Sequence, residues 1–191
     1  IKSNNVKTYA CLDVIGNEKE SYNNYKYMLK HNLKDTIPTF HYGEDFDYLK
    51  RYLDECNYIA LGGVVQLKQS KKLQIFFNKC FNIIKDYFPV KIHGFGVGNS
   101  DILKQYPFYS VDSTTWMAGR RFNEYNEYDQ YGNCKRVPNF NRIKKSNITI
   151  NSFVHNQKTP KEKVEKSIQS FLKLEKHITK LWEKRNIVWD S

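Results

Sequence analysis

The chain has 191 residues, of which 40% are hydrophobic and 27% charged, a soluble globular composition that excludes a disordered chain. This length suffices for one domain with a sizeable core, and no apolar run approaches a membrane span. The formal net charge of +11 favours a polyanionic partner, most often nucleic acid.

The charge is unevenly distributed along the chain. Residues 1–119 carry 15 Lys and Arg against 12 Asp and Glu, a net of +3, whereas residues 120–191 carry 16 against 8, a net of +8. We therefore divide the chain into a first region, 1–119, and a basic extension, 120–191. The alternative for the extension is a solvated lysine-rich surface that binds nothing.

The four cysteines have no metal-ligand spacing, which argues against a zinc site; we expect neither a metal nor a cofactor. Cys11 and Cys80 stand in apolar surroundings and are expected to be small core residues. A reducing, cytoplasmic setting fits this pattern, and no signal-peptide pattern opens the chain. Because the chain begins with Ile1, we expect its natural start to be missing or the chain to be part of a longer polypeptide.

Strand and helix patterns alternate five times along the first region. The predicted strands are residues 7–15, with the strand ending at Asp13, and residues 37–42, 58–65, 90–97 and 108–111. The predicted helices are 21–30, 45–56, 70–88 and 100–106. Strands joined through helices are parallel, so this order predicts an α/β sheet that is either doubly wound or part of a (β/α)8 barrel. Residues 131–151 are predicted to be irregular and polar, and Thr159 is predicted to cap a final amphipathic helix, 159–185, that packs on the barrel.

Chemically useful residues follow the predicted strands, where α/β enzymes keep their active sites. Asp13, His41, the Gly62–Gly63 pair and Asp112 all stand at such ends. A carboxylate after the last strand suits a nucleophile or a base, although Asp112 could merely cap the following segment. Asp13 could equally be a turn residue. The glycines could expose backbone to a flat ligand, or they could mark a bulge or a close contact with a helix.

Four motifs in this order resemble the queuine tRNA-guanine transglycosylases. They are LDVIG (12–16), ALGGVV (60–65), HGFGVG (93–98) and YSVDSTTW (109–116). The chain is most similar to the DNA-directed relatives of phages and bacterial DNA-modification clusters, which insert 7-deazaguanines into DNA. The resemblance implies a TIM-type (β/α)8 barrel of which this chain supplies about strands four to eight.

The resemblance also implies residue roles. Asp112 matches the aspartate nucleophile, and Asp13 matches the aspartate that recognises the incoming base. The other base-binding residues would be His41, Gly62, Gly63 and Gly96. For phosphate contacts, the basic extension offers Arg120, Arg121, Arg136, Arg142, Lys144 and Lys145.

The sequence departs from the tRNA enzymes in two respects. It lacks their CxCxxC…H zinc site, which favours DNA over tRNA as the acceptor, and it lacks the first three barrel strands. A partner chain that completes the barrel is therefore expected, unless the chain is a fragment. The predicted function is cofactor-free exchange of guanine in nucleic acid for a 7-deazaguanine through a covalent aspartyl intermediate. The alternatives are a non-catalytic nucleic-acid-binding or assembly subunit and an unrelated (β/α)8 hydrolase.

Overall fold

The computed structural model describes residues 8–67, 71–117, 125–137 and 159–189. The chain divides into two compact units, the first formed by Ile1–Asp112 with Val188–Ser191 and the second by Ser113–Ile187. The boundary predicted at residues 119 and 120 falls outside the described residues. No helix within the described ranges is both long enough and apolar enough to cross a membrane.

The first unit alternates short strands with helices. Its strands are β1 (Tyr9–Ala10), β2 (Thr36–Ile37), β3 (Thr39–His41), β4 (Tyr58–Gly62), β5 (Lys91–Gly94) and β6 (Ser110–Val111). Its α-helices are α1 (Glu18–Lys30), α2 (Phe46–Glu55), α3 (Lys71–Ile84) and α4 (Ser100–Gln105). The predicted mixed α/β class is therefore confirmed.

The strands pair in parallel and in chain order, as predicted. β1 pairs with β2, and a second sheet has the order β3-β4-β5-β6. The predicted strand 37–42 is divided at Pro38, which has no N–H to donate to a ladder. The Pro38 carbonyl still accepts a hydrogen bond from the Ala60 N–H at 2.8 Å, so the residue between β2 and β3 remains bonded to β4.

The prediction of a strand over residues 7–15 is wrong in length. After β1, only the Cys11 N–H continues the ladder, donating to the Ile37 carbonyl at 2.8 Å. The following loop is held by Ser21, whose hydroxyl oxygen accepts a hydrogen bond from the Val14 N–H at 2.8 Å. Asp13 therefore stands on a loop after the strand and not at its last residue.

One face of the four-stranded sheet forms the apolar core. Phe40, Ile59, Leu61 and Ile92 alternate along the strands and are buried, as are the inward residues of α2 and α3, including Phe77. The row Thr39, Ala60, His93 and Ser110 is in register across the sheet and belongs to its other face. The polar residues of this row, Thr39, His93 and Ser110, lie next to the strand ends that carry the candidate site.

The second unit packs one long helix on a β-hairpin. β7 (Tyr125–Tyr128) pairs with β8 (Cys134–Val137) antiparallel, and α5 (Pro160–Glu183) follows. The predicted Thr159 cap is confirmed, since its hydroxyl accepts from the Glu162 N–H at 3.2 Å and Glu162 accepts from the Thr159 N–H at 2.6 Å. Irregular structure was wrongly predicted for residues 134–137.

The hairpin escaped prediction because its turn depends on side-chain contacts. Asp129 accepts hydrogen bonds from the backbone N–H groups of Tyr131 and Asn133 at 2.8 and 2.9 Å. The Tyr128 N–H donates to the Ser170 hydroxyl of α5 at 2.5 Å, so the hairpin is completed by a helix more than thirty residues away. A polar segment forms a strand here because tertiary contacts satisfy its backbone.

Candidate active site at the strand ends

The centre of the candidate site is a buried histidine held between two carboxylates. His41, at the end of β3, is 5% exposed. Its Nε2 lies 2.7 Å from Asp13 Oδ2, and its Nδ1 lies 3.1 Å from Glu44 Oε1. Sequence analysis predicted a site at Asp13 and His41 but not their direct contact, which joins the loop after β1 to the end of β3.

Glu44 was missed by sequence analysis. The chain turns back after His41 through Gly43, whose φ of 99° suits glycine, and the Glu44 N–H donates to the His41 carbonyl at 3.2 Å. Glu44 Oε2 then accepts from the His41 N–H at 2.8 Å. The available signal was the segment HYGE (41–44), in which a glycine permits an acidic residue to fold back onto a strand-end histidine.

The two carboxylates favour a charged imidazole. Burial lowers the pKa of His41, but the hydrogen bond and charge of Glu44, together with the charge of and hydrogen bond to Asp13, raise it above its ordinary value. In the protonated state both ring nitrogens are donors, which matches an acceptor on each side. His41 thereby fixes the orientation of the Asp13 carboxylate, whose side chain is 32% exposed.

The Gly62–Gly63 pair makes room for His41. A Cβ on Gly62 would stand 2.9 Å from Thr39 Cγ2 and 3.1 Å from His41 Cδ2. Gly63 has a φ of 72°, and a Cβ there would stand 3.0 Å from the Tyr42 nitrogen. The pair is in close contact with β3 and the strand-end histidine, and not with a helix as the alternative interpretation expected. The predicted contact of the pair with a base remains a prediction.

This packing predicts that Gly62→Ala destabilises the protein by about 1–3 kcal/mol, the usual cost of overpacking a filled site. Denaturant unfolding of the full chain measures it. Thr39→Ser removes the methyl group nearest to the new Cβ. Gly62→Ala should therefore cost less stability when it is added to Thr39→Ser than when it is added to the unmodified chain. An unaltered midpoint in Gly62→Ala would show that His41 and Thr39 are not held against β4.

Asp112 follows β6 and receives a backbone donor. Its Oδ1 accepts a hydrogen bond from the Gly96 N–H at 2.7 Å, and its own N–H donates to the Gly94 carbonyl at 3.2 Å. The side chain is 56% exposed. The carboxylate is thus directed to the loop after β5, whereas Ser113 accepts from the Thr115 N–H in the segment that Asp112 could have capped.

A hydrogen-bonded row of side chains leads to Asp112. The Tyr58 hydroxyl lies 2.7 Å from Ser110 Oγ, which lies 2.7 Å from His93 Nδ1. His93 Nε2 lies 3.8 Å from Asp112 Oδ1. If Tyr58 donates to Ser110 and Ser110 donates to Nδ1, the Nε2–H of a neutral His93 faces the Asp112 carboxylate.

The pKa values of His93 and His41 are shifted in opposite directions. Burial lowers the pKa of His93, and the charge of Asp112 offsets this only in part. The lowered pKa favours the uncharged form of His93 beside Asp112, whereas the raised pKa favours the cationic form of His41 beside Asp13. Sequence analysis quoted His93 within HGFGVG without giving it a role; its alternation with Ile92 on a predicted strand was the available signal.

Close contacts connect Asp13 to Asp112 across the strand ends. Asp13 contacts His41, and His41 approaches the glycine pair after β4. A Cβ on Gly96, whose φ is 71°, would stand 2.7 Å from Val65 Cγ2 in the loop after β4. Gly96 in turn donates to Asp112. We call this connected set, formed by the loops after β1, β3, β4, β5 and β6, the carboxyl edge.

The predicted phosphate-binding residues lie mostly outside the described residues. Only Arg136 is described, and it is exposed on β8. The remaining five stand in the undescribed segments 118–124 and 138–158; they are Arg120, Arg121, Arg142, Lys144 and Lys145. Their role remains a prediction.

Within the described part of the chain, no group of three or more His, Cys, Asp or Glu side chains is arranged to hold a metal ion. Both ring nitrogens of His41 are already engaged, with Asp13 Oδ2 and Glu44 Oε1. No protein-family model, curated protein or solved structure matches the chain. By its fold and its candidate site, the chain is a mixed α/β protein with two carboxylates, those of Asp13 and Asp112, at the carboxyl edge of its parallel strands.

Proposed function

We propose that the protein is a guanine transglycosylase that replaces guanine in nucleic acid with a 7-deazaguanine. The observation that supports this is the connected carboxyl edge, which joins Asp13 to Asp112 through His41 and the strand-end glycines. Base exchange needs two carboxylates with different tasks, one that reacts with a sugar and one that recognises a base. The opposite tuning of His41 and His93 beside them supplies that difference.

In the proposed reaction, Asp112 is the nucleophile. A carboxylate oxygen attacks C1′ of a guanine nucleotide, the bond from C1′ to the base breaks, and guanine leaves with the bonding electrons and a proton. The incoming 7-deazaguanine then attacks C1′ with the nitrogen that loses its proton, and the Asp112 carboxylate is released. A carboxylate suits this sequence because it stabilises and then traps an oxocarbenium-like centre, as in retaining glycosidases.

Asp13 recognises the base in this proposal. An ionised carboxylate only accepts hydrogen bonds, so it selects the N–H donors on the edge of a guanine or deazaguanine. The bond from His41 to Oδ2 fixes the orientation of Asp13 before the base arrives. Because both ring nitrogens of His41 are held by Asp13 and Glu44, His41 would act on the base through Asp13, and the backbone of Gly62, Gly63 and Gly96 would lie along the base.

The proposed architecture is a (β/α)8 barrel in which the five parallel strand positions of this chain correspond to strands four to eight. A partner chain, or a further part of the same polypeptide, would supply the first three strands. The acceptor would be DNA rather than tRNA, and the guanine would be flipped out of the duplex before attack. We place the reaction in the cytoplasm, that of the infected host if the protein is phage-encoded.

The test is a base-exchange assay on the protein purified with whatever completes its barrel. Mass measurement of the purified assembly establishes its composition. Duplex DNA carrying labelled guanine, mixed with the assembly and a 7-deazaguanine, should release label and pass through an adduct that survives denaturation. An assembly that binds DNA but neither releases label nor forms the adduct would overturn the proposal. The basic extension with its net charge of +8 would then support a nucleic-acid-binding subunit.

A further inference from the structure

Helix α5 carries a row of exposed lysines along one side. The five residues are Lys166, Lys173, Lys176, Lys180 and Lys184, and each is exposed. At 3.6 residues per turn they fall within an arc of about 80° around the helix axis. From the first to the last they extend over about 27 Å at 1.5 Å per residue. We call this set the lysine row.

The helix is anchored by a different side. Leu174 is 2% exposed and Trp182 is 7% exposed, and Phe171 makes an edge-to-face contact with Tyr128 of the hairpin at 5.2 Å between ring centroids. Ser170 accepts the hydrogen bond from the Tyr128 N–H. Because these contacts hold α5 by its apolar side, the lysine row is presented from a rigid element.

The row is unfavourable for the helix itself. Lys176, Lys180 and Lys184 are spaced four residues apart, and each such like-charge pair costs roughly 0.2–0.5 kcal/mol. A cation in the last turn is stabilised by the helix dipole, which accounts for Lys180 and Lys184. Lys166, Lys173 and Lys176 stand too far from that end to benefit. An anionic partner would offset the repulsion along the whole row.

The geometry favours a nucleic-acid backbone as that partner. Over about 27 Å, one strand of B-DNA presents roughly eight phosphates at 3.4 Å per charge, enough to engage all five lysines. A helix that binds a membrane surface inserts its apolar side into the lipid. Here the largest apolar side chain of α5, that of Trp182, is buried, and the exposed Ile168 and Leu172 are too few for the apolar face of such a helix.

We propose that the lysine row is a docking surface for the phosphate backbone of a nucleic acid, held without regard to base sequence. It would hold the same nucleic acid that the exchange reaction modifies, and in that biological role it rests on the proposed function. Ammonium groups contact phosphates as point charges and carry no base information. The row would therefore position the substrate and leave selection to the carboxyl edge.

The test uses the full chain with Lys173, Lys176 and Lys180 all changed to Gln, which preserves length and helix propensity. Binding of a fluorescein-labelled duplex of arbitrary sequence is followed by anisotropy between about 50 and 200 mM salt. Each lost phosphate contact should reduce the slope of log K against log salt by about 0.9, so we expect a reduction of about 2.7 in this variant. Circular dichroism checks that α5 is retained.

A matched control removes the same charge elsewhere. Lys19, Lys34 and Lys72 are exposed in the first unit, and changing all three to Gln should leave the slope within about one unit of the unmodified chain. Equal slopes in the two triple variants would overturn the proposal, as would binding of phosphatidylserine vesicles but not DNA. No deazaguanine is present, so a failure here is distinguishable from failure of base exchange.

Discussion

Changing Asp112 to Asn should abolish base exchange and the denaturation-resistant adduct while leaving DNA binding nearly intact. The substitution keeps the size of the side chain and an oxygen to accept from the Gly96 N–H, but it removes the charge that attacks C1′. Loss of a residue from a nucleophilic unit costs on the order of 10⁴-fold in rate. The label-release assay measures this loss directly, with binding followed in parallel by anisotropy.

Asp86→Asn is the matched control, because Asp86 is exposed on the same unit and away from the strand ends that form the carboxyl edge. It should exchange guanine at the unmodified rate. Full exchange by Asp112→Asn would remove Asp112 from the role of nucleophile. Loss of both exchange and DNA binding in that variant would indicate a folding defect, which circular dichroism and thermal unfolding would reveal.

The second large effect is expected on stability. Glu44→Gln should lower the free energy of unfolding by about 2 kcal/mol, because it removes one of the two carboxylates that pair with the buried His41 and leaves Asp13 as the remaining partner. Glu44 is 7% exposed and accepts both the Nδ1–H and the backbone N–H of His41. Urea unfolding measured near pH 6 gives the change.

The pH dependence of this effect follows from the raised pKa of His41. When the pKa of a histidine is higher in the folded than in the unfolded state, its protonation stabilises the fold. This stabilisation is complete at pH values below the unfolded-state pKa, about 6.5, and it is lost as pH rises through the folded-state pKa. The difference between the unmodified chain and Glu44→Gln should therefore be largest at and below about pH 6.5 and should shrink above it.

Asp47→Asn provides the comparison for a surface carboxylate. Asp47 pairs with Lys50 at 3.1 Å, both side chains are more than half exposed, and such pairs contribute at most about 1 kcal/mol. Its effect should be smaller than that of Glu44→Gln and nearly constant over the same pH range. If the two variants lose equal stability at every pH, His41 is not held as a cation by Glu44.

Much of the first unit could be predicted from periodicity. Apolar side chains at helical spacing, such as Leu73, Phe76 and Phe77, predicted α3 because burial of one helix face follows directly from sequence order. The parallel order of the strands followed from the helices between them. Strand lengths could not be predicted in the same way, because pairing ends where a neighbouring strand ends, as it does soon after Ala10.

The chain by itself determined the alternation of strands and helices, the basic excess of residues 120–191 and the presence of Asp13, His41 and Asp112 after predicted strands. Only the tertiary structure decided which groups these residues contact. Glu44 stands only three residues after His41, whereas the bond of His41 to Asp13 joins the end of β3 to the loop after β1, and no local pattern encodes the distance between them. The same holds for Gly96 and Asp112, sixteen residues apart, whose hydrogen bond exists because parallel strands bring their carboxyl ends to one edge.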